Sequence, residues 1–145
     1  MNRFLYFCLL AGCGIAWIAA SSQSTNSKSN TDAAGHETKA TIEGLVRDIA
    51  CPIQNLEATA THLSMKCLQE CARKGSPLVI LTKDGDLYLP ISGSMPDVDQ
   101  RQKLMPFLGK YVRASGTVFE RKGTHAIVIS EIQEMKDVHL TIEEQ

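Results

Sequence analysis

The sequence predicts a mainly β protein with short helices: a five-stranded Greek-key barrel with a helical, cysteine-containing insert between strands one and two. Three observations lead there. Five segments either alternate apolar and polar residues or form short apolar runs, and glycine, proline or aspartate turn signals bound them. A cysteine-bearing stretch of helical period lies between the first and second of these segments. A shorter helical stretch separates the third from the fourth.

Residues 1–22 carry the features of a signal peptide or membrane anchor. Met1-Asn2-Arg3 is a positive head, Phe4 to Ala20 holds no charge, and Ala19 to Ser22 are small residues suited to signal-peptidase cleavage. Leu10-Ala11-Gly12-Cys13 also matches a bacterial lipobox, which would put lipid on Cys13. Cleavage, lipidation and an uncleaved anchor all remain open. Each predicts an extracytoplasmic domain, periplasmic or secreted, that meets a membrane only through this segment. Residues 23–40, rich in Ser, Thr and Asn, read as a flexible linker that includes a solvated His36.

The domain is expected over residues 41–136. In Thr41 to Ile49, Ile42 and Val46 fall on one strand face and Leu45 and Ile49 on the other. Gly44 marks a bulge or sharp coil, and Cys51-Pro52 ends the strand. Glu57 to Lys74 favours helix, most clearly from His62 onward, with Leu63, Cys67, Leu68 and Cys71 at helical spacing. Thr59 or Thr61 can cap its start, and Gly75 followed by Ser76-Pro77 marks its stop. Leu78 to Leu81 is a buried strand. Lys83 to Asp86 is a hairpin turn whose Asp84-Gly85 pair suits type I′. Leu87 to Ile91 returns as a strand that Pro90 makes irregular or places at an edge. Beyond the loop Ser92 to Pro96, Asp97 can cap a short helix over Val98 to Leu108, bent at Pro106 and closed by Gly109. Lys110 to Glu120 and Thr124 to Met135 form a long last hairpin around Arg121-Lys122-Gly123, with a kink at Gly116. Residues 137–145 form an acidic, weakly patterned tail with a solvated His139.

This order, with a helix between the third and fourth strands, resembles that of OB-type domains. The segment from Gly109 to Ile132 resembles their last two strands. A narrower resemblance is to small secreted bacterial OB-fold-like proteins, a largely uncharacterised group. It rests on G-x-V-x-D-x-x-C at Gly44 to Cys51, H-x4-C-x3-C-A at His62 to Ala72, G-x-P-L-x-x-L at Gly75 to Leu81, and D-G-x-x-Y at Asp84 to Tyr88. The resemblance spans nearly the whole domain. It implies an exported protein and no established reaction.

Composition narrows the function. A formal charge of -1 removes the broad electrostatic case for nucleic-acid binding, and an aromatic content of 6% is low for a base-stacking surface. Cys8 and Cys13 fall in the N-terminal segment, which leaves Cys51, Cys67 and Cys71, an odd number for an oxidising compartment. Zinc and Cu(I) both take thiolate and imidazole ligands, so these three cysteines and His62 are candidate metal ligands. Cys67 and Cys71 lie about one turn apart on one helical face. In a continuous helix His62 would lie roughly 140–180° away from them, so it can join only from a loop entering the helix.

The structural alternative is a disulfide from Cys51 to Cys67 or Cys71 with one spare thiol. It would contribute about 3 kcal/mol by loop closure. Redox chemistry is the third reading, weakened by the absence of a C-x-x-C pair. His125, at the start of the last strand, is a turn histidine unless the fold carries it to the cysteines. Lys110, Arg113, Arg121 and Lys122 form a basic cluster that could bind an anionic ligand or present a solvated face. No phosphate loop, nucleophile elbow or Ser/His/Asp set suggests an enzyme.

Overall fold

The computed structural model describes residues 36–143. The segment assigned to export or anchoring, and the linker up to residue 35, lie outside them. Among the described residues no helix is long and apolar enough to cross a membrane.

Strand β1 (His36–Asp48) is the one on which the barrel is assembled. It runs antiparallel to β5 (Tyr111–Arg121) from His36 to Leu45 and to β3 (Leu78–Thr82) from Gly44 to Asp48. Gly44 lies where the two pairings overlap, opposite both Thr82 and Val112. A Cβ there would stand 2.4 Å from the Leu81 carbonyl oxygen, so a side chain would force β3 away. The sharp coil expected at this glycine is thus a close approach of two backbones.

β3 turns back into β4 (Leu87–Pro90), and β4 pairs in parallel with β6 (Thr124–Glu134). β6 then pairs antiparallel with β5, closing a barrel in the order β1-β3-β4-β6-β5. This is the five-stranded OB-type Greek-key barrel that the sequence predicts. The insert between its first two strands holds α1 (Ala50–Gln54), β2 (His62–Ser64) and α2 (Met65–Arg73).

Several local expectations are corrected. β1 starts at His36, five residues before the predicted Thr41, because residues 36–40 pair with the far half of β5. Those residues are largely exposed, so hydrogen bonding rather than an apolar stripe holds them and no periodicity announces the strand. The Asp84-Gly85 turn is not type I′, since Gly85 has a positive φ of 93° but Asp84 does not. Its hydrogen bonds, Gly85 N–H to Thr82 O and Thr82 N–H to Asp86 O, close a wider loop. Lys122 and Gly123, with φ of 49° and 79°, form the tight two-residue turn instead, between the paired Arg121 and Thr124.

The helix expected over residues 98–108 contracts to α3 (Arg101–Leu104) and a 3-10 turn at Met105–Phe107. Asp97 does not cap it; its carboxylate accepts the Ser92 N–H at 2.7 Å and braces the preceding loop. The kink expected at Gly116 is a register shift against β6 between Ser115 and Gly116.

Two apolar clusters share the β1 wall. Val46, Ile80, Leu104, Val112 and Ile127 pack in one, with Ala72 of α2 among them. Leu45, Ala60, Leu63, Leu68, Leu81 and Tyr111 pack in the other, which joins the insert to the strands. By strand alternation, Asp48 continues the face of Val46 and Arg47 the face of Leu45. Both charged residues are buried at the end of β1.

Candidate metal centre

The last residue of β1 sets up the cysteine loop. Asp48 is fully buried and its Oδ2 accepts the Cys51 N–H at 2.9 Å, which holds the first turn of α1 against the strand end. Its Oδ1 has no hydrogen-bond partner among the described residues.

α2 supplies the other two thiols. Ser64, rather than Thr59 or Thr61, caps it, with the Cys67 N–H donating to Ser64 Oγ at 3.4 Å. The predicted helix over residues 57–74 therefore loses its first part. Thr59 instead uses its hydroxyl to accept the His62 N–H at 3.1 Å, turning the chain into β2. At the other end, Gly75 N–H bonds Ala72 O and Ser76 N–H bonds Cys71 O, a Schellman closure with Gly75 at positive φ. Arg101 of α3 donates to the Ala72 and Ser76 carbonyls, binding this helix end to the barrel. Leu68 and Ala72 are buried, and that face sets the rotation of α2.

The result is a cluster of the Cys51, Cys67 and Cys71 sulfurs, all within 4.8 Å of one another. Cys51 Sγ and Cys67 Sγ are 3.3 Å apart, and all three cysteines are free. Sulfurs in a tetrahedral zinc shell, with Zn–S near 2.3 Å, stand about 3.8 Å apart, so small side-chain movements suffice to enclose an ion. Burial above all, then the Cys67 side chain and the Asp48 carboxylate, push the Cys51 thiol up to about 12. Cys71 is raised as well, by burial first and then by the charge of Asp48. Without a cation, this environment favours protonated thiols.

His62 does not join the three sulfurs within that distance. It lies on β2, in the approach to the helix, but both ring nitrogens are engaged. Nδ1 is 3.0 Å from Glu57 O and Nε2 is 3.2 Å from Glu143 Oε1. Glu143 comes from β7 (Thr141–Glu143), which pairs in parallel with β2, so the weakly patterned acidic tail returns to the insert as a short strand. His125 stays on the barrel wall, its ring centroid 5.1 Å from that of Tyr88.

The basic residues are dispersed. Lys110 pairs with Glu134 at 2.9 Å and Arg113 with Glu43 at 2.7 Å. Arg121 and Lys122 occupy the hairpin tip at the opposite end of β5, roughly 35 Å along an extended strand.

Two residues near the site were not singled out by the sequence reading. Asp48 stands inside the G-x-V-x-D-x-x-C run, and Arg47 stands beside it. A charged pair ending an apolar strand was the available signal. Arg47 is 2% exposed; its Nη1 donates to Thr59 O at 3.1 Å while Nε has no partner. It lines a cavity of about 50 Å³ together with Cys51, His62, Cys67 and Glu143.

The fold and site define a small closed β-barrel bearing a three-cysteine cluster on its insert. No protein-family model matches the chain, and no match is found among curated proteins or solved structures.

Proposed function

We propose that this chain is an extracytoplasmic, non-enzymatic binding protein that holds zinc or copper through Cys51, Cys67 and Cys71. The observation that carries this reading is the approach of three sulfurs, one from α1 and two from α2, to within 4.8 Å of one another. Thiolates suit Zn and Cu(I) over harder cations. The extracytoplasmic part rests on the charged head, apolar run and small residues of the N-terminus, and on the resemblance to small secreted bacterial proteins.

Purified anaerobically with a phosphine reductant, the protein should take up about one equivalent of Zn(II) or Cu(I). Cys71→Ser should abolish uptake, while His62→Ala should preserve the stoichiometry. Failure of the reduced wild-type protein to retain more than a few tenths of an equivalent of either metal would sink the proposal.

The 3.3 Å approach of Cys51 and Cys67 supports a second reading, a structural disulfide with Cys71 as the spare thiol. The barrel would then serve as an OB-type ligand- or partner-binding module. Intact mass with and without alkylation separates the two: one free thiol in the mature, metal-free protein favours the disulfide.

A further inference from the structure

We infer that the metal site is open on one side and that a small monovalent anion enters there, bound to the ion and received by Arg47. This deepens the metal reading and rests on it. Zinc bound by three protein ligands keeps a fourth position for an exchangeable group. The three sulfurs bring no fourth donor within their 4.8 Å grouping, and His62 has both ring nitrogens occupied by Glu57 O and Glu143. The fourth position is therefore left to a ligand from solution.

The cavity beside Cys51 and Cys67 supplies the room. Its volume of about 50 Å³ accommodates a few water-sized groups. Arg47 supplies the selectivity. It is 2% exposed, its Nε has no hydrogen-bond partner, and among the described residues its guanidinium enters no ion pair. A buried guanidinium that makes no direct ion pair keeps part of its desolvation cost, and a small anion bonded to it in the same cavity offsets that cost.

Glu57 and Glu143 also border the cavity, but Glu143 Oε1 is turned to His62 at 3.2 Å. These carboxylates and Asp48 raise the negative potential around the site, which argues for a small singly charged anion over phosphate or sulfate. Binding is a ligand exchange: the anion replaces a metal-bound water, and no electrons move.

Cobalt(II) makes the exchange visible, because its absorption reports coordination. The full exported chain, reduced and loaded with cobalt, is titrated with sodium azide. The expected result is a saturable spectral change with one azide per cobalt. Arg47→Gln should weaken azide at least tenfold at unchanged cobalt stoichiometry. If that variant does not fold, Arg47→Lys decides by the same titration, since it keeps the charge but loses the planar guanidinium fork. Weaker azide binding supports the inference, and unchanged binding overturns it. Cobalt uptake with a spectrum indifferent to azide overturns the anion site alone, whereas absence of cobalt uptake overturns the metal reading and this inference together.

Discussion

At Cys51, one neighbour acts on both backbone and thiol. Asp48 accepts the Cys51 N–H and also helps to hold the thiol protonated, behind burial and Cys67 in importance. Two consequences follow for pH. Since Cys51 and Cys71 are both raised from 9.0, ion uptake at neutral pH must expel at least two protons. Apparent zinc affinity should then climb at least about hundredfold per pH unit, and chelator competition between about pH 6.5 and 7.5 measures it. A slope near zero would mean that these thiols are not the ligands. The metal-free reduced protein should behave in the opposite sense. A thiol raised from 9.0 to about 12 on folding contributes stability that is intact below pH 9 and is lost as pH rises towards 12. Urea midpoints measured across that window should fall with rising pH and should fall less in Cys51→Ser.

α2 is a short helix, nine residues long, and it cannot stand on propensity alone. Its cap at Ser64, its Schellman closure at Gly75 and the grip of Arg101 fix the ends, while Leu68 and Ala72 fix the rotation. Leu68 is fully buried among Leu45, Leu63, Leu81 and Tyr111, so it links insert and barrel. Leu68→Ala should destabilise the protein by about 2–5 kcal/mol in urea unfolding. It should also reduce metal affinity without touching a sulfur, because Cys67 and Cys71 lose the footing that aims them at Cys51. A variant that unfolds at lower urea yet binds metal with wild-type affinity would show that the ion, not the packing, orients the helix.

Across the whole molecule, barrel closure decides where the insert sits. β1 must contact β3 and β5 at once, and both contacts meet at Gly44 and Leu45. Gly44→Ala should cost about 1–3 kcal/mol or more through overpacking against Leu81, seen as a lower thermal midpoint. A midpoint within about a degree of wild type would mean that β3 yields freely. Closure also explains the fate of the basic cluster. The residues lie along one extended strand, so Lys110 and Arg121 stand at opposite ends of β5.

By itself, the sequence determined the chain order of the five barrel strands, the barrel class and the identity of the three thiols. Those are local matters of period, turn residue and composition, and Gly75, Leu68 and the Cys67–Cys71 spacing are legible without a fold. Long-range pairing was not legible. The parallel β4–β6 contact, the return of β7 to β2, and the exposed start of β1 depend on partners tens of residues away and carry no periodic signature. The same holds at the site. Cys51 was a cysteine after a strand, and only tertiary packing brought its sulfur to those of α2. Only packing, too, buried Arg47 and Asp48 beside them, because burial is a property of what surrounds a residue and not of the residue. His62 shows the converse: its spacing made it a conditional ligand, and the Glu57 carbonyl and the returning tail's Glu143 gave its two ring nitrogens other work.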